Sequence, residues 1–213
     1  VVKDSHNYYS DITRELTYWL CLALCRTQKE ERFYEEVKAL DGADYWFLKG
    51  FFQRIATKYN SAENFLKKAL EISPSMQRAK RELVTALLAQ HRYPEALSLA
   101  KENYERDSDN TYHMHAYFRC LVKKVNINRE DIATLKELLD KMENSYSDKK
   151  EELHMAMNIE FQANIKRKSP DEMLDLIRNA EKNFPSSVNI QRAAHEYKLK
   201  QAIVSKEVVF PED

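Results

Sequence analysis

The sequence predicts an all-α protein built from stacked helix-turn-helix repeats, with about ten to eleven helices. Three observations carry this prediction. The 213 residues include only two glycines and five prolines, which leaves few residues for the tight turns of a β protein. Hydrophobic residues make up 43% of the chain, which is enough for a sizeable core. Small and large apolar residues also recur at the same offsets after a fixed interval, as they do in repeat proteins.

The clearest repeat unit predicts two antiparallel helices, here named helix A and helix B. It runs from Ala43 to Ser75 and contains, in order, Trp46, Gly50, Tyr59, Ala62, Leu66, Ala69 and Pro74. Gly50 and Ala62 are small enough to let helices A and B approach closely. Leu66 and Ala69 are expected to pack on the next repeat. Pro74 ends the unit, because proline cannot continue a helix.

Two further units follow at the expected interval. Ala96 lies 34 residues after Ala62 (96 − 62 = 34), which is the length of one helix-pair repeat. The second unit begins at Gln77 and keeps most of the apolar places. A third unit begins near Thr111, and its helix B, around Glu130–Glu143, needs about three more loop residues than the others.

Weaker helix pairs flank these three units. The predicted helices are Ser10–Arg26 and Lys29–Leu40 before them, and Lys149–Arg167, Pro170–Asn183 and Ser187–Lys206 after them. Ser169, followed three residues later by Glu172, has the sequence pattern of a capping box. The predicted organisation is an N-terminal helical hairpin over 1–41, three core repeats over 42–146, and a hairpin with a capping helix over 147–213.

The offsets of the central units resemble those of tetratricopeptide repeats. The resemblance implies a right-handed α-solenoid whose concave inner wall consists of A helices and binds another protein. In that family the second, fifth, ninth and twelfth places of helix A line the groove. Carried over to this chain, these places are Asp44, Phe47, Phe51 and Arg54, then Arg78, Arg81, Thr85 and Leu88, then Tyr112, His115, Arg119 and Val122, with Lys123 adjacent.

Such a groove would be aromatic at one end and basic through the middle, which is typical of protein-binding hot spots. A plainer interpretation is also open. Phe47 and Phe51 lie four residues apart and could pack against the preceding helix pair, and Arg78 and Arg81 could be solvated charges beside Glu82. Some family members clamp a terminal carboxylate with inner-wall asparagines. None stand at these places, which disfavours a chaperone-tail adaptor.

Composition and motifs argue against other functions. The 34 basic and 34 acidic residues give a formal net charge of zero, whereas nucleic-acid-binding domains usually have a basic excess. No phosphate loop or nucleophile motif is present, so we expect no enzyme, cofactor or metal. Three cysteines, an odd number, indicate a reducing compartment and hence a cytoplasmic location, and Cys21 with Cys25 lacks a second zinc-ligand pair. No stretch approaches the ~18 apolar residues of a membrane-spanning helix.

A more specific resemblance rests on longer runs of sequence. These are GADYWFLKGFF from Gly42, RAKRELV from Arg78, AKENY from Ala100 and AYFRCL from Ala116. Together they look like the C-terminal repeat arrays of bacterial antiphage STAND ATPases. The resemblance implies a sensor that binds a phage structural protein, the portal or the large terminase, and so triggers oligomerisation of a larger ATPase. The chain begins with Val1 and shows no signal pattern, so we expect it to be a piece of a longer protein.

Two other hypotheses are open at this stage. The module could be an autonomous scaffold or regulator that binds an extended host peptide or protein. It could also be a small helical enzyme, or a nucleic-acid binder that uses Arg78, Arg81 and Arg119 as a basic stripe. Protein binding is common to the sensor and the scaffold hypotheses, and is the function that the sequence favours.

Overall fold

A computed structural model describes the backbone of residues 2–166 and 168–207, and the side chains of residues 11–165 and 168–203. In this part of the chain there are eleven α-helices and no strand. The helices are α1 (Val2–Arg26), α2 (Glu30–Glu36), α3 (Gly42–Ile55), α4 (Tyr59–Ile72), α5 (Gln77–Ala89), α6 (Tyr93–Arg106), α7 (Thr111–Val122), α8 (Arg129–Glu143), α9 (Lys150–Phe161), α10 (Pro170–Asn183) and α11 (Val188–Glu207). A 3-10 helix, Val37–Ala39, follows α2. The predicted all-α class and the recurrence of helix pairs are confirmed.

Helix boundaries agree best with the prediction in the central units. Helices α5 and α7 begin at Gln77 and Thr111, where the second and third units were expected to start. Helix α4 ends at Ile72, shortly before Pro74. Helix α1 is longer than predicted and begins at Val2 instead of Ser10. Its first turns are mostly polar, so no apolar period marks their helical state in the sequence.

The predicted helix over Lys149–Arg167 differs from the structure in its last part. Helix α9 ends at Phe161, and Gln162–Lys166 form a π-helix; Arg167 lies outside the described residues. The side-chain amide of Asn164 donates to the backbone carbonyl oxygen of Glu160 at 2.7 Å. This side-chain bond competes with the backbone ladder at the point where the helix widens.

The chain divides into two compact units, Val1–Asn103 and Tyr104–Asp213, and the division falls within α6. In the first unit the same turn joins helices A and B three times. Gln28, Thr57 and His91 each have a left-handed φ, between 53° and 59°. After each of them, the next backbone N–H donates to the carbonyl oxygen five residues earlier, at 2.8 to 3.0 Å. This is the Schellman closure of a helix, and it shows the repeat in the backbone itself.

Close packing inside the first unit depends on Gly50 of α3. A Cβ atom placed there would lie 2.7 Å from Cγ of Leu66 and 3.1 Å from the backbone nitrogen of Leu66. Helices α3 and α4 are therefore closer than a larger residue permits, as predicted for Gly50. The side chain of Leu66, which the sequence predicts to pack on the next repeat, is buried and contacts Gly50 of its own helix pair.

The second unit has a core between α9, α10 and α11. Its fully buried members include Ile159, Met173, Ile177, Ala180 and Ile190. The predicted capping box is present: the Ser169 side chain accepts from the N–H of Glu172, whose carboxylate accepts from the N–H of Ser169. Asn110 and Asn128 cap α7 and α8 with their side chains. Helices α2 to α5 of the first unit have no side-chain cap bond.

Candidate binding surface

The residues predicted to line a groove fall into two sets, one in each unit, and each set is described by itself. Eight lie on α3 and α5 of the first unit: Asp44, Phe47, Phe51, Arg54, Arg78, Arg81, Thr85 and Leu88. Five lie on α7 of the second unit or directly after it: Tyr112, His115, Arg119, Val122 and Lys123. Leu88 and Val122 are buried in the core and offer no surface to a partner. In the first unit α3 contacts both α1 and α5, so the first set has neighbours on three helices.

Four aromatic rings form a continuous row across α1 and α3. Trp19 contacts Tyr18 edge-on, with ring centroids 5.8 Å apart. Tyr18 stacks on Phe47 at 6.4 Å, and Phe47 stacks on Phe51 at 5.9 Å. Phe47 is buried, whereas Trp19 is 58% exposed. Phe47 therefore packs against the preceding helix pair, as the plainer interpretation of the sequence had it. We call these four residues the aromatic row.

Two arginines lie over the aromatic row. The Arg78 guanidinium, from α5, lies 4.6 Å from the centroid of the Tyr18 ring and 5.2 Å from that of Phe47. The Arg54 guanidinium lies 5.0 Å from the centroid of the Phe51 ring. At such distances a guanidinium is attracted to the face of a ring, which holds both arginines in place. The row and its arginines together present aromatic and cationic groups on one surface.

Each of these arginines also has a carboxylate partner. Arg78 pairs with Asp44, 34 residues earlier (78 − 44 = 34) and so at the same place on the preceding A helix. Arg54 pairs with Glu82, which also lies 3.7 Å from Arg81. The Arg78 and Arg81 side chains remain 39% exposed. Charges of both signs therefore alternate on this surface, where the sequence had suggested a basic stretch.

Helix α1 supplies surface residues that sequence reasoning missed. Arg14 forms ion pairs with Asp41 at 3.1 Å and with Asp44 at 3.7 Å, and Tyr18 and Trp19 begin the aromatic row. The first helix pair lacks the small–large–small offsets of the central units, so its places could not be aligned with the family pattern. The available signal was the spacing of Arg14 and Tyr18, which puts them one turn apart on the same side of α1.

The set in the second unit belongs largely to a buried ion cluster. His115 is 7% exposed, and the side chains of Arg119 and Glu160 are 11% and 3% exposed. The Glu160 carboxylate lies 3.7 Å from Arg119 and 3.2 Å from Arg192 of α11. His115 and Arg119, predicted to line a groove, thus offer little surface to a partner. The family pattern could not reveal this, because the covering groups come from α9 and α11, outside the well-aligned repeats.

Electrostatics inside this cluster favour a neutral histidine. Burial, and then the positive charges of Arg192 and Arg119, lower the pKa of His115 well below its ordinary value. At the edge of the cluster Lys123 donates to Glu196 at 2.6 Å. Burial raises the pKa of Glu196, but the hydrogen bond and charge of Lys123 outweigh it, so that this pKa is lowered. The Lys123 ammonium is therefore engaged within its own unit.

Tyr112 is the most exposed member of the second set, at 41%. It lines a pocket of about 600 Å³ between the start of α7 and the end of α8, together with Asn110, Lys141, Ser145 and Tyr146. The Asn110 side chain accepts from the N–H groups that begin α7, so this helix end is already capped. The pocket can therefore hold an apolar or aromatic side chain better than an anion.

Other reactive groups do not assemble into a site in the part of the chain that the structure describes. No group of three or more His, Cys, Asp and Glu residues there could hold a metal ion. The buried thiols are free, and burial raises the pKa of Cys21 to about 11 and that of Cys25 to about 12. These thiols are therefore protonated and unreactive near neutral pH. None of the described helices is both long and apolar enough to cross a membrane.

Comparison with known proteins adds one finding. The family model of the tetratricopeptide repeat matches residues 54–124, about a third of the chain, from the end of α3 through α7. No curated protein matches the sequence. The matched segment contains helix B of the first repeat, the whole second repeat and helix A of the third. The match supports a tetratricopeptide-type family for these repeats, and repeats of that type generally mediate protein–protein interaction.

Proposed function

We propose that this chain is a protein-binding module and that its main contact surface is the aromatic row with Arg54, Arg78 and Arg81. The observation that carries the proposal is that exposed Trp19 and partly exposed Tyr18, Phe51, Arg54 and Arg78 lie together around the buried ring of Phe47. Aromatic and arginine side chains contribute most of the binding energy in protein interfaces.

The geometry of this surface suits reversible binding. The ion pairs of Arg78 and Arg81 are partly exposed, and such pairs contribute only about 0–1 kcal/mol to stability. A partner carboxylate can therefore replace Asp44 at small cost, whereas Glu82 is buried and stays paired with Arg54. The rings already hold Arg54 and Arg78 in place, which reduces the entropy lost when a partner orders these side chains.

We further propose that the partner is a phage structural protein, the portal or the large terminase, and that binding triggers a larger antiviral STAND ATPase that oligomerises. This proposal is supported by the resemblance of four segments, beginning at Gly42, Arg78, Ala100 and Ala116, to the sensor arrays of that family. Two of these segments contribute residues to the surface described above: Phe47 and Phe51 lie in the first, and Arg81 in the second.

The test is a binding titration of the purified chain with purified portal and large terminase proteins. We expect Arg78→Ala to weaken binding at least about tenfold, because the guanidinium touches two rings of the surface. The matched control is Arg178→Ala, whose side chain is 72% exposed and pairs only locally with Asp175 on α10. Arg119→Glu is unsuitable, because it would bury a second carboxylate beside Glu160.

The outcomes separate the two parts of the proposal. If the folded wild-type chain binds neither phage protein, the sensor function is contradicted. If it binds one of them and Arg78→Ala binds equally well, the sensor function stands and the assigned surface is contradicted. Circular dichroism of each variant shows whether the fold is retained.

A second candidate function, a scaffold that binds an extended peptide, is favoured by the pocket at Tyr112. Its volume of about 600 Å³ is suited to one or two peptide side chains. Hydrogen exchange of the complex distinguishes the two candidates. Protection confined to the start of α7 and the loop at Ser145–Ser147 would favour the peptide scaffold. Protection over α1, α3 and α5 would favour the sensor.

A further inference from the structure

A second group of aromatic rings lies on the other side of α3 from the aromatic row. Lys49 follows Phe47 by two residues and precedes Phe51 by two. Two residues turn a helix by about 200°, so Lys49 points to nearly the opposite side of α3 from these two rings. We call the group around this lysine the lysine–aromatic cluster, and its members are Tyr45, Trp46 and Lys49 of α3 with Phe65 and Lys68 of α4.

The rings of the lysine–aromatic cluster hold two ammonium groups. The Lys49 ammonium lies 5.0 Å, 5.3 Å and 4.7 Å from the ring centroids of Tyr45, Trp46 and Phe65. It also donates to the Tyr45 hydroxyl at 3.2 Å. The Lys68 ammonium lies 4.4 Å from the centroid of the Trp46 ring. Aromatic rings attract cations at such distances, so both ammonium groups are held close to Trp46.

These two ammonium groups have no carboxylate partner in the described part of the chain. The contacts of Lys49 there are the three rings and the Tyr45 hydroxyl, and that of Lys68 is the Trp46 ring. The two arginines over the aromatic row, by contrast, pair with Asp44 and Glu82. The lysine–aromatic cluster therefore carries two positive charges that its own surroundings do not neutralise.

The cluster offers hydrogen-bond donors in excess of acceptors. An ammonium group has three N–H donors and no acceptor, and Lys49 uses one of its donors on the Tyr45 hydroxyl. The indole N–H of Trp46 also donates to no residue that the structure describes. Lys68 is exposed and Lys49 is partly exposed, so a partner can reach both. The complementary group is an ionised carboxylate, which is negative and only accepts hydrogen bonds.

We propose that the lysine–aromatic cluster is a docking site for an acidic segment of a partner protein, whose Asp or Glu carboxylates accept from Lys49 and Lys68. The rings already hold both lysines, which reduces the entropy that they lose on binding. A nucleic acid fits this surface less well. Trp46 stacks on Phe65 and has Lys68 over its ring, whereas a base needs an open ring face. The proposal does not depend on the phage partner, because the cluster shares no residue with the aromatic row or its arginines.

The experiment follows the indole N–H signals of the full, nitrogen-15-labelled chain by NMR during a titration with blocked hexaglutamate. The chain has two tryptophans, and Trp19→Phe assigns their signals. We expect the Trp46 signal to move and saturate, and to move less at high salt because the contact is ionic. The signal of Trp19, a member of the aromatic row, should move less and so reports any binding at that other surface in the same sample.

Matched variants and probes test the assignment. Lys49→Gln with Lys68→Gln should weaken hexaglutamate binding at least about tenfold. The control, Lys29→Gln with Lys38→Gln, removes the same charge at two exposed sites and should bind like the wild type, with circular dichroism to verify each fold. An unmoved Trp46 signal overturns the proposal, and so does a Lys49 and Lys68 double variant that binds as tightly as the wild type. Equal binding of hexaglutamine or of an oligothymidylate of the same charge also overturns it, since carboxylates would then not be what the cluster recognises.

Discussion

Both units join neighbouring helices by carboxylate–arginine pairs, but at different depths. In the first unit the Asp44 and Arg78 side chains are 25% and 39% exposed. In the second, Glu160 is 3% exposed between Arg119 and Arg192. An exposed pair can exchange its partner for a group on another protein, whereas a buried pair cannot be opened without a large desolvation penalty. The Asp44–Arg78 pair is therefore better suited to exchange partners than the Glu160 cluster, whose charges are structural.

The two units also differ in how their helices begin and end. The first unit repeats one backbone closure, with left-handed residues Gln28, Thr57 and His91, and its helices α2 to α5 lack side-chain caps. In the second unit, helices α7, α8 and α10 start with side-chain caps from Asn110, Asn128 and Ser169. In the second unit, α9 has no such cap, so side chains define three of its helix starts and not all of them. Substitutions should therefore have different effects in the two units.

The largest expected effect is that of Glu160→Gln in the second unit. It removes the carboxylate beside the buried Arg119 guanidinium, while Arg192, 25% exposed, keeps Glu196 at 3.9 Å, so we expect the free energy of unfolding to fall by about 3–5 kcal/mol. The matched change in the first unit, Asp44→Asn, should cost at most about 1 kcal/mol, because its pairs are partly exposed. Urea unfolding of both variants measures the difference.

Hydrogen exchange then assigns the loss to a unit. Glu160→Gln should speed exchange in α7, α9 and α11, while α3 and α5 keep the wild-type pattern in native conditions. Equal destabilisation by Glu160→Gln and Asp44→Asn would contradict the contrast in depth on which the comparison depends.

The second prediction concerns the helix contact at Gly50. Gly50→Val should destabilise the first unit by about 2–3 kcal/mol, since even its Cβ would lie 2.7 Å from Cγ of Leu66. Thermal unfolding followed by circular dichroism measures this effect. Leu66→Ala removes the clashing side chain, so the double variant should lose less than the sum of the two single losses. Additive losses would show that Leu66 is not the residue that Gly50 accommodates.

The spacing of small residues and prolines predicted the helix pairs well, because each of these residue types restricts the local backbone in a single way. Gly50 must accept a close neighbour, and Pro74 must stop a helix. The burial of His115 and Arg119 could not be predicted in this way. It depends on α9 and α11, whose pairing partners are set by tertiary contacts and not by a local pattern. Alternating ion pairs such as Asp44 with Arg78 are visible in the sequence as a 34-residue spacing, but only once the repeat register is known.

A third prediction uses pH to probe the second unit. The pKa of His115 is lowered in the folded chain, so below pH ~6.5 the unfolded chain binds a proton that the folded chain does not. Stability should therefore fall as pH decreases, with a contribution from His115 that approaches about 1.4 kcal/mol per pH unit. Urea unfolding at pH 7.5, 6.5 and 5.5 compares the wild type with His115→Gln. The variant should show a shallower slope, whatever its stability at pH 7.5. Parallel slopes would mean that His115 binds protons equally in the folded and unfolded states, so that its pKa is not lowered by folding.

The smallest expected effect is a gain in stability in the turns of the first unit. Thr57 has a φ of 59°, which is costly for a β-branched residue and free of strain for glycine. Thr57→Gly should therefore raise the free energy of unfolding by about 0.5–1 kcal/mol, measured by urea unfolding. The control is Ala56→Gly, one residue earlier in the same turn, where φ is −74° and glycine only adds freedom to the unfolded chain. That variant should be less stable than the wild type. If Thr57→Gly and Ala56→Gly change the free energy of unfolding in the same direction, the left-handed φ of Thr57 does not strain the turn. The repeated turn of the first unit would then cost no stability.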